Sequence, residues 1–452
     1  MGTLASILLA LVIFTLLSIQ LFQLDADKLV KDTSSYVTVA SRSILDKDFW
    51  AGERPFTIPL VYKLLGLTEG MSSNQQSIAV VTRFQLVFHI LSWSTLAVIF
   101  FFTMNHSRIA AFFGLFAILL ISLSKHISQW NRIVSSESLS TSLFILALAL
   151  GLYGLHYLQR KKRPRVLGLT TYLVCLIGIH FLYSFTRDTN AYFLLCEAII
   201  LVGLSLLARK LAMWARYSVL IIALVLGSIY LLQNAIVNRG QRWFYPFLNV
   251  FHSRFLNNRD AYGYFLNAGM PEDKLPIETI REMKRDVFIV HMYNDSRAKD
   301  QRLWLLQHGK GVYLSYMISN PASLLAGPVE DARHIISPNS TEYRLQVIPT
   351  PLWQEVITSW IYPQSTPFVI ISLFLLVAVS ILSVSRVGWR FEFIVPWLLI
   401  LTAFPMFLVV WHGDAIELER HAFQISLQLR LAFWSLVVFL LGSIRVKKQH
   451  PS

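Results

Sequence analysis

Charge is scarce in this chain. Asp, Glu, Lys and Arg make up 15% of its 452 residues, against about a quarter in soluble domains. That excludes an ordinary soluble enzyme. It also excludes a disordered chain, which is polar and poor in apolar residues. Cysteine is nearly missing. Cys175 and Cys196 each lie in an apolar run, which leaves no disulfide framework and little to say about redox compartment. No Gly-rich phosphate loop, no His-Glu-x-x-His, no Gly-x-Ser-x-Gly and no internal repeat occurs, so nucleotide, zinc-peptidase and serine-hydrolase motifs carry no argument.

What is present is apolar length. Apolar residues form 55% of the chain and aromatic residues 13%, with a mean hydropathy of +0.53. Runs of about 20 apolar residues recur, each long enough to cross a bilayer. The fold class expected is an all-α polytopic membrane protein. Ten spans are predicted: 3–23, 78–104, 108–125, 138–158, 166–185, 189–208, 215–235, 366–385, 391–411 and 421–443. The first reads as a retained helix rather than a signal peptide, because no Lys or Arg precedes it and no clear small-residue cleavage site follows.

The net charge of +14 would by itself suggest a polyanion partner. Topology accounts for it instead. With a cytoplasmic N-terminus, the inner loops hold Arg108, the run Arg160, Lys161, Lys162, Arg163 and Arg165, then Arg209, Lys210, Arg216, Arg386, Arg390, Arg445, Lys447 and Lys448. These are 14 basic residues with no acidic one between them, and the rest of the chain balances at 26 basic against 26 acidic. The excess is thus a positive-inside signal. It predicts a multi-pass protein with both termini in the cytoplasm and no nucleic-acid partner; a bacterial plasma membrane is the location expected.

Two long segments then lie outside: the loop 24–77 and the stretch 236–365. In the loop, Leu29, Val30, Tyr36, Val37, Val39, Ala40, Ile44 and Leu45 recur as on an amphipathic helix lying in the interface. The run Glu53-Arg54-Pro55-Phe56-Thr57-Ile58-Pro59-Leu60 breaks it and turns back to the bilayer, and a second interfacial helix is predicted from Leu60 to Leu67. The stretch 236–365 reads as α or α+β. It is aromatic near its start (Trp243, Phe244, Tyr245, Phe247, Phe251, Phe255), densely charged over 277–308, where one or two solvated helices are expected, and punctuated by proline on its return. Three parts follow: a membrane module over 1–235 with its loop 24–77, an external segment over 236–365, and closing membrane helices over 366–452.

Polar residues that approach the outer face stand in four places. Asp32 is placed to serve as a general base, or to cap a helix starting at Thr33. Glu137, in Ser135-Ser136-Glu137-Ser138-Leu139-Ser140, sits at the edge of hydrocarbon, where a carboxylate needs a partner; Arg132 is one choice. Arg187 lies in the short turn Thr186-Arg187-Asp188 and suits bidentate phosphate binding, a turn pair with Asp188, or snorkelling to headgroups. Arg420 and His421 lead into the last span and suit a phosphate. His412, Asp414, Glu417 and His421 are alternatively a divalent metal set, without the fixed spacing of zinc motifs. Arg83 and His89 lie within the second span, where they extend a polar cavity or serve helix packing.

These features resemble the GT-C superfamily of integral membrane glycosyltransferases, including protein O-mannosyltransferase and aminoarabinose transferase relatives. The resemblance is carried by Asp32, Tyr36 and Ala40 in the first outer loop, by the return Arg54-Pro55-Phe56-Thr57-Ile58-Pro59-Leu60, by Ser136-Glu137-Ser138-Leu139, by Thr186-Arg187-Asp188 and by Glu419-Arg420-His421, mostly within 1–235. It implies inverting transfer of a sugar from a polyprenyl-phosphate donor to a lipid, glycan or protein acceptor at the outer membrane face. It further implies Asp32 as general base, Glu137 as a second carboxylate, and Arg54, Arg187, Arg420 and His421 as cations for the leaving phosphate, with no cofactor. The return lacks the adjacent prolines of many members. No tandem acidic pair occurs at Asp32, so Asp25 and Asp27 stand as rival bases.

Three other readings compete, one of them another lipid-linked enzyme such as a polysaccharide polymerase or acyltransferase. A transporter or flippase of lipid-linked glycans needs polar or broken helices at mid-membrane, whereas the polar residues here gather at one face. A non-catalytic assembly protein would use 236–365 to bind a partner. Asn294-Asp-Ser and Asn339-Ser-Thr are external glycosylation sequons that arise readily by chance.

Overall fold

A computed structural model describes residues 3–23, 28–29, 31–70, 75–104, 107–158, 166–207, 213–336, 350–364, 367–382, 393–416 and 418–444. Asp25, Asp27, Glu417, the Asn339 sequon and the basic residues at 160–165, 209, 210, 386, 390, 445, 447 and 448 lie outside them.

The described elements run α1 (Thr3–Gln23), β1 (Lys28–Leu29), α2 (Lys31–Ser41), α3 (Lys47–Ala51), α4 (Thr57–Leu64), α5 (Gln75–Thr103), α6 (Arg108–Leu123), α7 (Lys125–Ser128), β2 (Ile133–Val134), α8 (Ser136–Leu158), α9 (Val166–Ser184), α10 (Asp188–Leu207) and α11 (Met213–Arg239). They continue with α12 (Phe244–Val250), α13 (Arg259–Asn267), α14 (Ile277–Glu282), α15 (Arg285–Asn294), α16 (Lys299–Ser319), α17 (Pro321–Glu330), α18 (Ala332–Ile336), α19 (Leu352–Ile361), α20 (Pro367–Leu382), α21 (Ile394–Gly413), α22 (Leu418–His421) and α23 (Phe423–Ile444). Among the described residues the fold is therefore all-α but for one parallel pair, in which Lys28 and Leu29 lie beside Ile133 and Val134.

Eight of the described helices are long and apolar enough to cross a membrane: α1, α5, α8, α9, α10, α11, α21 and α23. The predicted third span is a bent pair instead. Its axis turns by 51° between Arg108–Leu123 and Lys125–Arg132. Ser122 Oγ donates to the Leu119 carbonyl (2.6 Å) and Ser124 Oγ to the Ile121 carbonyl (2.7 Å). Such back-bonding bends helices. The predicted eighth span is described as α20, with 16 residues, or about 24 Å of helix.

The described chain divides into two compact units: Met1–Gly240 with Tyr343–Phe404 and Gln424–Ser452, and Gln241–Glu342 with Pro405–Phe423. In the first, α5 packs along α6 and α8, and α10 along α11. Gly114 of α6 admits this closeness: a Cβ there would sit 2.7 Å from the Phe100 ring of α5. The predicted interfacial helices exist as α2 and α4, which pack on each other. Tyr36, Val37, Val39 and Ala40 of α2 are buried, as are Ile58 and Tyr62 of α4.

Among the described residues of the second unit the regular elements are all helices, so the α+β alternative does not apply to them. The charged stretch forms three helices (α14, α15, α16) where one or two were expected, because Met283 and Asp295 leave helical geometry (ψ 133° and 130°). Of the early aromatics Phe244, Phe247, Phe251 and Phe255 enter the core with Phe265, Phe288, Met292 and Leu305, whereas Tyr245 is exposed. The Phe251 and Phe255 rings stand edge-on to Phe265 at 5.3 and 5.1 Å between centroids.

Candidate functional site

In the first unit, three segments distant in sequence are tied together at the end where α8 begins. The β1–β2 pair lays the residues before α2 beside those before α8. Thr33 Oγ1 then donates to the Val134 carbonyl (2.7 Å), three residues ahead of Glu137. On another side, the start of α4 is bound to the end of α9. The Thr57 N–H donates to the Phe185 carbonyl (3.2 Å) and its hydroxyl to that of Leu182 (3.0 Å). Phe56 packs on Phe185, 4.7 Å between centroids. Arg187 follows two residues later.

Two ion pairs result. Arg54 donates through one terminal nitrogen to Asp32 Oδ1 (2.9 Å) and through Nε to Ser35 Oγ (2.8 Å), and its guanidinium lies 4.9 Å from the Tyr36 ring centroid, within cation–π range. Asp32 lies inside the first turn of α2, which starts at Lys31, so it does not occupy the cap position ahead of Thr33. An acidic side chain there complements the helix dipole. The second pair joins Arg187 to Glu137 at 3.3 Å, with the Glu137 side chain wholly shut from solvent. Arg187, 50 residues on, is thus a partner of Glu137. A carboxylate so buried needs such a countercharge.

Neutral polar residues without a place in any motif brace this turn. Asn190 Nδ2 lies within hydrogen-bond reach of Thr186 Oγ1 (2.8 Å), Ser140 Oγ (2.9 Å) and the Tyr183 carbonyl (3.0 Å). Gln233, fully buried in α11, donates to the Arg187 carbonyl (3.3 Å) and accepts from Ser184. Ser138 Oγ donates to Asn131 Oδ1 (2.7 Å). A buried amide that gives and takes fixes the backbone it holds. A Gln within an otherwise apolar run is the sequence signal that marks α11.

Arg420 and His421 belong to the second unit. Arg420 is buried, and His421 Nε2 lies 3.5 Å from Asp414 Oδ2. His412 is engaged elsewhere: Nδ1 meets the Tyr313 hydroxyl (2.6 Å) and Nε2 the Leu324 carbonyl (3.0 Å). Among the described residues no three His, Cys, Asp or Glu side chains are grouped to hold a metal. Arg83 lies on an exposed face of α5, whereas His89 is buried.

One expectation is overturned. Polar residues do not gather only at the helix ends. Glu197, midway along α10, lies 3.2 Å from His180 of α9. Both line a mostly apolar cavity of about 210 Å³ among α8, α9, α10, α11 and the start of α21. A carboxylate so placed within a span is a functional signal in its own right.

What the Asp32–Arg54 and Glu137–Arg187 cluster can do follows from its charges. Two carboxylates supply proton acceptors and two guanidinium groups supply forked donors suited to phosphate oxygens. Comparison with models of known families, with curated proteins and with solved structures finds no match.

Proposed function

We propose that the protein is a GT-C-type glycosyltransferase that takes a sugar from a polyprenyl-phosphate donor at the extracytoplasmic membrane face. The chain crosses the membrane ten times in this reading, with the bent α6–α7 segment and α20 as the further crossings and both termini in the cytoplasm. The observation that carries it is that the Thr33–Val134 and Thr57–Phe185 hydrogen bonds join the segments bearing the Asp32–Arg54 and Glu137–Arg187 pairs.

The chemistry is a single displacement. An acceptor hydroxyl attacks the anomeric carbon and passes its proton to Asp32. The new bond forms as the bond from that carbon to the phosphate oxygen breaks, so the configuration inverts. Negative charge grows on the departing lipid phosphate, where Arg54 and Arg187 stabilise it. In many enzymes such electrostatic stabilisation accounts for most of the rate enhancement. Glu137 holds Arg187 in place. Profiling of glycans and glycolipids in cells with and without the protein tests the reading. A glycoconjugate should disappear, and its lipid-linked sugar should accumulate. An unchanged profile defeats it.

The second reading, a carrier of lipid-linked glycans, is favoured by one observation, the His180–Glu197 pair at mid-helix. It predicts altered movement of the lipid-linked sugar between leaflets, without loss of transfer activity in detergent extracts.

A further inference from the structure

We infer that α19 is an anchor in the membrane interface, with Leu352, Val356 and Trp360 seated in the boundary between lipid headgroups and acyl chains. This role is independent of the transfer reaction. The helix is amphipathic in the reverse of the sense that water selects. Its polar residues Gln354 and Thr358 are buried, while Leu352 and Trp360 are 77% and 78% exposed and Val356 51%. The three apolar residues recur every fourth position, which lines them up on one face. A helix at a water-facing surface turns that face to the core. Glu355 and Ser359 are exposed beside the stripe, and Glu355 Oε1 accepts from Thr350 Oγ1 (2.8 Å). A polar flank along an apolar stripe is the pattern of a helix lying in the interface plane.

The rotation of α19 is fixed by its buried side chains, which serve the break between α6 and α7. Gln354 Nε2 donates to the Leu123 carbonyl (2.9 Å) and to Ser128 Oγ (2.7 Å). The Leu123 carbonyl is one of those that the end of α6 leaves without an intrahelical donor. From the other side of the break, the Lys125 N–H donates to Thr358 Oγ1 (2.9 Å), and that hydroxyl donates to the Gln354 carbonyl (2.7 Å). Turning the apolar stripe inward would break all of these bonds and strand buried polar groups.

What covers the stripe follows from its depth. The chain leaving α19 is bound along one face of α23. The Trp434 indole N–H donates to the Ile361 carbonyl (2.7 Å), the Arg430 guanidinium to the Pro363 carbonyl (2.5 Å), and the Tyr362 and Ser426 hydroxyls lie 2.8 Å apart. Ser426, Arg430 and Trp434 all fall inside Phe423–Gly442, the stretch of α23 long and apolar enough to cross a membrane, and within about 16 Å of its start. Ile361, Tyr362 and Pro363 are thus held at the depth of the first half of that crossing. A few residues on, α20 begins at Pro367 and exposes Ile370, Ile371 and Phe374. A helix face beside a crossing helix and just ahead of that apolar surface meets lipid. Tryptophan suits the boundary, with an apolar ring and an N–H that reaches the headgroups.

The test uses the full chain in phosphatidylcholine nanodiscs, with Cys175 and Cys196 replaced by alanine. Single cysteines are placed by Leu352→Cys, Val356→Cys and Trp360→Cys, and by Asp300→Cys, an exposed residue of α16, as the reference in water. Each carries a nitroxide, and its collisions with oxygen, which concentrates in lipid, and with a water-soluble nickel chelate are read by electron paramagnetic resonance. The ratio of oxygen to nickel collisions should be several-fold higher at all three α19 positions than at position 300. The Leu352 and Val356 variants keep the test decisive if the Trp360 variant fails to assemble. Nickel contact as strong as at position 300 would put the face in water. Low contact with both agents would mean protein covers it: a second copy where spin–spin broadening appears and fades on dilution with unlabelled chain, the same chain where it does not. Any of these three results would overturn the inference.

Discussion

Arg187 closes on Glu137 at 3.3 Å across the ends of α10 and α8, with the glutamate side chain at 0% exposure. Nothing in the sequence near Glu137 selects this partner. It arises because Asn190 and Gln233 fix the turn between α9 and α10 against α8 and α11. Removing one member of a buried pair leaves an uncompensated charge and costs about 3–5 kcal/mol. Arg187→Met should therefore lower the unfolding temperature of the purified protein sharply. Arg187→Met with Glu137→Leu should recover most of the loss yet remain inactive in transfer. Recovery of transfer in the double variant would remove Arg187 from the proposed phosphate contact.

Asp32 and Arg54 form a half-exposed pair, with side chains 27% and 30% accessible. Its contribution to folding is small, on the order of 1 kcal/mol or less for such pairs. General base catalysis, in contrast, contributes about 10²–10⁴-fold. Asp32→Asn should keep expression and thermal stability near normal and cut transfer by at least about a hundredfold. Near-full transfer by this variant, measured with polyprenyl-phosphate sugar donors, would remove Asp32 as the base.

The orientation is testable with a single thiol. Cys175 and Cys196 are unpaired, the first exposed, so both are first replaced by alanine. A cysteine at Asp300, in the first turn of α16, should then react with a membrane-impermeant maleimide added outside intact cells. Reaction only after the cytoplasmic side is opened would invert the topology.

Asp295 links pH to the stability of the second unit. The Arg297 side chain and N–H, with His291, hold the Asp295 carboxyl well below the usual carboxylate range. A carboxyl with a depressed folded-state pKa binds fewer protons folded than unfolded, so stability rises with pH over that interval. The contribution is full above about pH 4, the unfolded value, and fades as pH falls through the folded one. The stability difference between the protein and Asp295→Asn, followed by intrinsic fluorescence during denaturation, should shrink as the solution is acidified from pH 5. A constant difference would contradict the assignment.

Gly327 shows a packing limit in the same unit. A Cβ there would lie 2.2 Å from the Trp411 ring. Trp411 is pinned by its indole N–H to Asp331 (2.8 Å) and by the Arg254 guanidinium 3.5 Å from the ring centroid. Gly327→Ala should destabilise by about 1–3 kcal/mol, as overpacking does, seen as a lowered thermal midpoint.

Helix positions are legible in the sequence because hydrophobicity is local and additive. The apolar runs of α5, α8 and α23 announce themselves in a window of about 20 residues, and so do the apolar spacing of α2 and the proline return into α4. Partnership is not legible, because an ion pair depends on two side chains whose separation only the folded backbone sets. Thus Glu137 meets Arg187 from 50 residues away, and Asp32 meets Arg54 from within the first turn of α2. Glu197 is visible as a charge in an apolar run, but its meeting with His180 needs α9 laid against α10. The 51° break after Leu123 is likewise not announced by the apolar run of α6.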